Sequence, residues 1–584
     1  MRVKIEHIIR KVAGADAEFD VTYQENSAFG HYSTNIAMRL AKARGENPVE
    51  FTRALVEKIK SAAPKDFFEK VDIAGPGFIN FWIGKKVFEG ELATIYKERK
   101  TFGRSGVGKK KTVIVEYSQP NIAKRMHVGH LRSTIIGDAL ANVYTYTGHK
   151  VVRWNYIGDW GTQFGKLIAA YKMWGKKSEV DKDPIGTLLA LYVRFHDEMK
   201  TNPELEAKGQ QEFQKLESGD KENKKLWIWF KKESLKEFDR MYKVLRVKFD
   251  KTVGESAYEK EMQPLVAELL KSGVATHSEG AVVIYQVHSA TPSSGVVPTL
   301  MNTETPALIQ KADGASLYLT RDIASLKARI KEFHPTAILY VVANEQALHF
   351  EQLFTVAQIL KFKVPKLAHV KFGLMLGDDH KKFSTREGRA VALDELVEKI
   401  IALAREVVEK KNQGLSKKEK EKIARVVGIG ALKYNDLREN RNSDIIFDWE
   451  RMLNFSGDSA PYLQYTYARL RSIVRKAMPT GRQAPKIGKA DFAALEGDKE
   501  IAVIRRMAHF PYIIEDSART LYTNNIAKYI FELANEANRF YESTPILKDE
   551  NAARRNARLV LIESAAAVIK TGLGLLGIET LEKI

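Results

Sequence analysis

The residues TVIVEYSQPNIAKRMHVGHLRSTIIGD (Thr112–Asp138) join a short apolar run, a polar turn and a helical pattern. The first part, TVIVEYS, is β-branched and apolar, which is typical of a buried parallel strand. After HVGH, apolar residues recur at helical spacing from Leu131 to Val143. A second β-rich segment, HKVVRWNYIGD, follows at His149–Asp159. Strand, helix and strand in this order predict a βαβ unit of a nucleotide-binding α/β fold.

The HVGH sequence permits a metal site, an ordinary helical turn or a phosphate site. A metal site needs a third and usually a fourth ligand, and the chain has neither cysteine nor an HExxH pattern. An ordinary helix leaves Gly129 unexplained, because glycine costs about 1 kcal/mol relative to alanine there. A helix that begins after a parallel strand favours anions, and glycine lets a flat ring approach the backbone. We therefore expect Lys124, His127 and His130 to donate hydrogen bonds to phosphate oxygens.

A second glycine-rich segment, GRSGVGKK at Gly103–Lys110, nearly fits the spacing of a Walker phosphate loop. Lys110 stands where a magnesium-binding hydroxyl belongs, and the segment precedes a strand instead of joining a strand to a helix. It does not predict a phosphate loop.

The composition is typical of a folded protein with several domains, with 584 residues of which 44% are hydrophobic and 28% charged. The absence of cysteine excludes disulfides and thiolate zinc sites and indicates a cytoplasmic protein without a structural metal. No run of about 20 apolar residues is present, so no membrane partner is expected. The net charge of +20 favours nucleic acid as a partner, although a solubilising lysine-rich surface explains it equally well.

The patterns along the chain predict four regions. Residues 1–105 form a small α+β domain, in which NPVEFTRALVEKI begins a helix with a capping box at Asn47 and Glu50. Residues 106–390 form the α/β domain, with later strands at GAVVIYQV, TAILYVVA and HVKFGLML and a charged insertion at about 170–300. Helical patterns then predict a connecting segment at 391–457 and an all-helical domain at 458–584.

Two longer strings carry a family resemblance. The strand followed by HVGH and a helix is similar to the HIGH signature of class I aminoacyl-tRNA synthetases. VEYSQPNIAKRMHVGHLRSTIIGD, together with NYIGDWGTQFG, resembles arginyl-tRNA synthetases in particular. The resemblance extends over nearly the whole chain and implies a Rossmann-like catalytic domain, an N-terminal tRNA-binding domain and a C-terminal helical anticodon-binding domain.

The second signature of this class, KMSKS, is a mobile loop that holds the triphosphate of ATP. HKKFSTREG follows in the matching place, so that Lys382 and Ser384 correspond to its lysine and serine. Thr385 stands where the second lysine would be, and the resemblance implies that Lys124 supplies that charge. By the same resemblance, Lys124, His127, His130, Lys382 and Ser384 are the catalytic residues, and Gly129 joins His127, His130 and Lys382 in binding ATP.

A pocket for arginine needs carboxylates and amide oxygens, because a guanidinium is planar, charged and carries five donors. Candidates near the ends of strands and in the segments LYLTRDIA and YVVANEQALHF are Glu116, Asn121, Asp159, Tyr318, Asp322 and Gln346. The resemblance implies that Tyr318 and Asp322 hold the guanidinium, that Asn121 and Asp159 hold the α-amino end, and that Glu116 and Gln346 assist. Spacing alone does not separate arginine from lysine.

Candidates for contact with tRNA lie in the two flanking domains. Phe78 and Asn80 in AGPGFINFWI suit stacking on and hydrogen bonding to an unstacked base, although a place in a core strand explains Phe78 equally well. Tyr541 follows Arg539 in a C-terminal helical region whose tyrosines are interleaved with arginines, which suits splayed anticodon bases, although most of these tyrosines are expected in the core.

Together these features imply an aminoacyl-tRNA ligase. It would activate L-arginine with ATP, accompanied by Mg²⁺, to arginyl-adenylate and pass the arginine to the terminal ribose of tRNA(Arg), as a monomer. Two alternatives are another HIGH-type adenylating enzyme and an RNA-binding protein that has lost catalysis. The long flanking domains argue against a small-molecule ligase, and the intact His127, His130 and Lys382 argue against lost catalysis.

Overall fold

The structure is a computed structural model that describes residues 1–285, 306–312, 317–363, 366–377, 391–411, 414–477 and 490–584. The chain forms two compact units. The central unit comprises Gly106–Leu403 and Glu439–Trp449, and the terminal unit comprises Met1–Ser105, Ala404–Arg438 and Glu450–Ile584. Among the residues described, none of the helices combines the length and the apolar composition that crossing a bilayer requires.

The helices in chain order are α1 Arg2–Ala13, α2 Ile36–Arg44, α3 Pro48–Ala62, α4 Lys85–Glu98, α5 Val128–Tyr146, α6 Thr162–Trp174, α7 Lys177–Lys182, α8 Pro184–Met199, α9 Glu204–Glu217, α10 Lys221–Leu245, α11 Glu259–Lys271, α12 Tyr318–Phe333, α13 Ala347–Ile359, α14 Leu393–Lys411, α15 Lys417–Leu437, α16 Trp449–Met452, α17 Ala460–Lys476, α18 Asp498–Thr520, α19 Asn524–Ser543 and α20 Ala552–Leu575. The strands are β1 Val21–Tyr23, β2 Tyr32–Thr34, β3 Phe68–Ala74, β4 Phe78–Ile83, β5 Thr112–Glu116, β6 Lys150–Ile157, β7 Lys251–Gly254, β8 Thr276–Ser278, β9 Ala281–Ile284, β10 Ala307–Gln310, β11 Ala337–Tyr340, β12 Lys366–His369, β13 Met375–Leu376 and β14 Ile445–Ile446.

The central unit is built on a five-stranded parallel sheet in the order β12-β11-β5-β6-β7. Strand β5 lies in the middle, and its last residue, Glu116, pairs in register with Tyr340 of β11 and Trp154 of β6. Buried apolar side chains such as Ile114 and Ile338 pack with helices α12 and α13 into the core of this unit. The predicted βαβ unit and Rossmann-like parallel sheet are therefore confirmed.

Three details of the predicted sheet differ from the structure. Strand β7 belongs to the main sheet although it lies inside the predicted insertion at about 170–300. Strand β9, in GAVVIYQV, belongs instead to a separate antiparallel sheet with β8 and β10. The last parallel strand, β12, ends where HVKFGLML begins, and of that segment only β13 is a strand, paired with β14. An apolar β-branched run predicts a strand but carries no information about its partner.

The part of the terminal unit before residue 106 holds an antiparallel sheet in the order β1-β2-β4-β3. Strands β3 and β4 are joined by the Gly75-Pro76-Gly77 turn, in which both glycines have positive φ angles of 55° and 129°. Helix α3 begins at the predicted N-cap, because the Asn47 side chain accepts from the backbone N–H groups of Val49 and Glu50, but the structure shows no return bond from the Glu50 side chain that would complete the capping box. Helices α15 and α17–α20 form the all-helical part, which confirms the predicted C-terminal class.

Arg506 of α18 links the two parts of the terminal unit. Its buried guanidinium donates to Glu25 at 2.6 and 3.0 Å, to Glu532 at 2.9 Å and to Glu536 at 2.8 and 3.0 Å. Glu25 lies between β1 and β2 of the small sheet, whereas the other two carboxylates belong to α19. A guanidinium with three carboxylate partners is satisfied, and its loss leaves the partly buried Glu532 and Glu536 without their shared cation.

We expect Arg506→Met to destabilise the terminal unit by about 1–3 kcal/mol, because the partly buried Glu532 and Glu536 lose the cation that they share. Differential scanning calorimetry of the whole protein measures this as a lowered transition temperature. Arg519→Met is the matched control on the same helix, since the Arg519 side chain is 73% exposed and its pair with Asp516 is on the surface. Equal shifts for the two variants would contradict the role of the Arg506 network.

Candidate active site

The first turn of α5 is built around two imidazole rings. His127 is the N-cap, and its Nδ1 accepts a hydrogen bond of 3.1 Å from the backbone N–H of Gly129. The Nδ1 of His130 accepts from the backbone N–H of His127, also at 3.1 Å, and the two ring centroids are 3.9 Å apart. A Cβ atom at position 129 would lie 3.0 Å from the His127 ring, which explains the glycine. The HVGH sequence thus caps its own helix.

These hydrogen bonds determine the tautomer of each ring. A neutral imidazole whose Nδ1 accepts a hydrogen bond carries its proton on Nε2. Burial, with smaller contributions from the neighbouring His127 and Lys124, lowers the pKa of His130 to about 3. His130 is therefore an uncharged Nε2–H donor at neutral pH, at the helix end where backbone N–H groups already favour an anion.

The turn between β5 and α5 has an unusual backbone. Ser118, Gln119 and Ala123 have positive φ angles of 77°, 52° and 60°, which side chains other than glycine rarely adopt. Their backbone N–H groups donate to side-chain oxygens of other elements, namely Ser133 Oγ at 2.9 Å, Asn155 Oδ1 at 3.2 Å and Ser234 Oγ at 2.8 Å. Strain of this kind persists only where the surroundings hold it, and it is concentrated at functional sites.

Lys124 follows this turn and differs from its neighbour Arg125 in its partners. Arg125 pairs with Asp394 at 3.3 Å and Glu395 at 2.6 Å, which neutralises its charge. The ammonium of Lys124 instead lies 5.2 Å from the centroid of the Tyr192 ring. Within the described part of the chain no carboxylate is in ion-pair distance of Lys124, so its charge is available to an anion.

The second predicted signature lies outside the described residues, and so do Lys382 and Ser384. The chain is described again from Val391, directly beside HVGH. Ala392 forms an antiparallel bridge with His127, and the N–H of Leu393 donates to the carbonyl oxygen of Met126 at 2.8 Å. The residues that follow KFSTREG therefore contact the start of α5.

Carboxylates stand at the carboxyl ends of three neighbouring parallel strands, with Glu116 ending β5, Asp159 following β6 and Glu255 following β7. Two of them have structural partners. Glu116 is buried, forms an ion pair with Arg329 and accepts from Gln119 Nε2 at 2.7 Å. Its assisting role in arginine binding stays a prediction, and the structure shows an internal ion pair instead.

Asp159 is fully buried and its carboxylate has internal partners. It accepts from Lys231 Nζ at 2.6 Å and from the N–H and hydroxyl of Ser256 at 2.9 and 2.8 Å. Its role in binding an α-amino group stays a prediction. Asn121 lies beside it, bridged to Gly158, where a Cβ atom would be 1.9 Å from Asn121 Oδ1.

Glu255 is the residue that the sequence interpretation missed. Its Oε2 atom is buried and has no hydrogen-bond partner among the described residues. Burial raises the pKa of Glu255 to about 8; Arg321 opposes this rise, and the charges of Asp322 and Asp159 add to it. A carboxylate held close to other carboxylates at a strand end marks a place for a cation. The signal was the end of strand β7, which had been assigned to the insertion.

The two residues predicted to hold a guanidinium lie one turn apart at the start of α12. Tyr318 is the first residue of the helix and is 60% exposed. Asp322 Oδ2 accepts a hydrogen bond of 2.6 Å from His349 Nε2. Burial acts to lower the pKa of His349, but the hydrogen bond and the charge of Asp322 have the larger effect, so the pKa is raised overall. Burial raises the pKa of Tyr318, the charge of Glu255 adds to this rise, and the charge of Arg321 opposes it. Gln346 is exposed in the short turn before α13.

The candidate tRNA contacts lie in the terminal unit. Phe78 is 41% exposed at the start of β4, so the alternative of a core position is wrong. Asn80 of the same strand is 9% exposed, opposite Asp72 and Ser33. Tyr541 is half-buried near the end of α19, where the Arg469 guanidinium lies 4.7 Å from its ring centroid.

A metal cage is not part of this arrangement as far as the structure describes it. No group of three or more histidine, aspartate or glutamate side chains is placed to hold a metal ion in the described ranges. The described residues instead offer imidazole and ammonium donors at the start of α5 and acidic groups at Glu255 and Asp322, which suit a ligand with a phosphate and a cationic group.

Three family models match the chain. They are described as the catalytic domain of class I (R) tRNA synthetases, over residues 92–449, the DALR anticodon binding domain, over 463–584, and the arginyl-tRNA synthetase N-terminal domain, over 1–83.

The similarity to known proteins extends over almost all of the chain. It is 39% identical to the arginine–tRNA ligase of Fusobacterium nucleatum, over 97% of this chain and 95% of that protein. It is 40% identical to arginine–tRNA ligase 1 of Bacillus cereus, over 93% and 92% of the two chains. The solved arginyl-tRNA synthetase of Plasmodium falciparum superposes with a TM-score of 0.80 at 27% identity, over 100% of this chain and 98% of that chain. The Thermus thermophilus structure shares the fold, with a TM-score of 0.79 at 24% identity and 100% coverage of both.

We expect His130 to stay neutral, with its proton on Nε2, from neutral pH down to about pH 5, because burial disfavours the imidazolium form. ¹⁵N-detected NMR of protein labelled on histidine measures the tautomer, and the signal missing from His130→Gln identifies the residue. A His130 ring that becomes charged near pH 6 would contradict the uncharged-donor interpretation.

Proposed function

The chain belongs to the arginyl-tRNA synthetase family, and on that premise we propose that it activates L-arginine with ATP and transfers the arginine to the 3′-terminal ribose of tRNA(Arg) for translation. The single observation that supports this most is that the histidine-capped start of α5 follows β5 and Glu255 follows β7, at the carboxyl edge of one parallel sheet. The full-length match to arginine–tRNA ligases agrees with that chemistry.

In the first step, the arginine carboxylate attacks the α-phosphate of ATP, the bond to the β-phosphate breaks, and pyrophosphate leaves with its electron pair. Negative charge grows on the α-phosphate oxygens during this displacement. The Nε2–H groups of His127 and His130 and the ammonium of Lys124 are the donors proposed to stabilise it. These donors are already oriented by hydrogen bonds and ring contacts, so little reorganisation accompanies the reaction.

The roles of Lys382 and Ser384 in holding the triphosphate stay predictions, and so does the Mg²⁺ that accompanies ATP as part of the substrate. The bridge between Ala392 and His127 supports the roles of Lys382 and Ser384, because Ala392 follows their segment by only a few residues. A lysine there would add a second ammonium to that of Lys124 and so hold the leaving pyrophosphate from the other side.

Recognition of arginine is proposed to depend on Tyr318, Asp322 and Glu255. A guanidinium between Asp322 and Glu255 would satisfy the buried oxygen of Glu255 and relieve the repulsion between the two carboxylates. Its planar fork places donors on both sides at once, whereas the ammonium of lysine offers a single point charge. On this proposal the site favours arginine over lysine, a distinction that spacing in the sequence does not make.

In the second step, the 3′-terminal ribose hydroxyl of tRNA attacks the adenylate carbonyl and AMP leaves. Exposed Phe78 and the Tyr541–Arg469 pair are proposed to contact tRNA, since aromatic faces and arginine planes stack on unpaired bases. Asn80 is a weaker candidate because it is almost fully buried. We also propose that the enzyme acts as a monomer in the cytoplasm.

The charging assay tests the proposed function directly. Purified protein with ATP, Mg²⁺ and tRNA(Arg) should esterify arginine and, at equal concentration, no measurable lysine. Arginine-dependent pyrophosphate exchange with and without tRNA then shows whether activation needs tRNA. Charging of lysine would contradict the substrate, and absence of any charging by folded protein that still binds tRNA would favour an RNA-binding protein.

Glu255→Gln should raise the KM for arginine by about 10- to 100-fold, because a charge-assisted hydrogen bond to the guanidinium is replaced by a neutral one. In the unchanged protein the KM for arginine should also fall as the pH rises through about 8, where Glu255 becomes ionised, and this dependence should vanish in the variant. Steady-state exchange kinetics measure both. Glu268→Gln, an exposed glutamate paired with Lys327, is the control, and an equal rise in its KM would contradict the assignment.

A further inference from the structure

Tyr192 is an aromatic side chain of helix α8, within the segment that the sequence marked as an insertion. Its ring is half-buried and contacts His196 one turn later, with centroids 4.5 Å apart. The Lys124 ammonium lies 5.2 Å from the Tyr192 centroid, inside the range of a cation–π contact. The inserted helix therefore reaches the residue that follows the strained turn before HVGH.

The choice of an aromatic ring as a partner has a physical consequence. A carboxylate beside Lys124 would fix the ammonium but also neutralise it, as Asp394 and Glu395 do for Arg125. A ring face attracts the ammonium through its quadrupole and leaves the positive charge available to a phosphate. It also limits the rotamers of a side chain that would otherwise lose considerable entropy when it binds a ligand.

We propose that Tyr192 is a positioning residue that holds the Lys124 ammonium toward the phosphates of ATP without neutralising it. The inference rests on the proposed function, in which Lys124 stabilises charge during adenylate formation. It assigns a task to α8, since this helix supplies the ring that lies against Lys124. Tyr192 touches neither substrate in this role and acts only through Lys124.

The proposal predicts a specific kinetic pattern in arginine-dependent pyrophosphate exchange with tRNA present. Tyr192→Leu should lower kcat by about 3- to 30-fold, the range that a cation–π contact accounts for, with a smaller change in the KM for ATP. Tyr192→Phe keeps the ring face and should restore most of the lost rate. If Tyr192→Phe, which removes only the hydroxyl, lowers kcat as much as Tyr192→Leu does, the proposal is overturned.

A double-mutant cycle separates positioning from general packing. Lys124→Met should lower kcat, and Tyr192→Leu should add almost no further loss in that background, because its effect acts through the lysine. Independent, multiplicative losses would overturn the proposal. Trp229→Leu is the matched control in the same segment, since it removes the ring 5.8 Å from the Lys177 ammonium. If Trp229→Leu lowers kcat as much as Tyr192→Leu does, packing of the segment is responsible for the loss, and the positioning role of Tyr192 is overturned as well.

The failure of the premise is recognisable by itself. If Lys124→Met is fully active, Lys124 has no catalytic role and Tyr192 has no positioning role. The proposal that the enzyme charges tRNA with arginine is not affected by that result. Thermal unfolding of each variant, recorded in parallel, shows whether a rate loss comes with a folded protein.

Discussion

The hydrogen bonds from two backbone N–H groups to the Nδ1 atoms of His127 and His130 are the interactions on which the phosphate side of the site depends. They begin helix α5 at the carboxyl end of the central strand, and they leave both Nε2–H groups as donors. The glycine between the rings is part of the same arrangement, because a Cβ atom there would press on His127. The same two hydrogen bonds therefore cap α5, fix the tautomers of both histidines and orient their Nε2–H groups.

The other side of the site depends on how carboxylates are distributed among partners. Glu116 and Asp159 have internal cations, Arg329 and Lys231, and so contribute to the sheet and its adjoining helices. Among the described residues the Oε2 atom of Glu255 has no hydrogen-bond partner, although the charge of Arg321 acts on it, and Asp322 accepts from the His349 imidazole. A buried carboxylate that is incompletely paired is costly, and a bound guanidinium would remove that cost. The proposed recognition of arginine by Glu255 depends on this incomplete pairing.

The local elements were predictable because their signals are short-range. An apolar β-branched run followed by a helix start is encoded within about 30 residues, and the capping of α3 by Asn47 within three. Partners in the sheet were not predictable in the same way, and strand β9 was assigned to the wrong sheet for that reason. Likewise, no pattern near Lys124 indicates that Tyr192 would lie against it.

The sequence by itself determined where a parallel strand ends, where the histidine-capped helix begins and which residue types could hold arginine and ATP. Only the tertiary structure decided which carboxylates are free. Arg329 lies 213 residues from Glu116, and Lys231 lies 72 residues from Asp159, so their pairing depends on how distant segments meet. Backbone patterns and caps arise from neighbours along the chain, whereas the pairing of buried charges arises from neighbours in space.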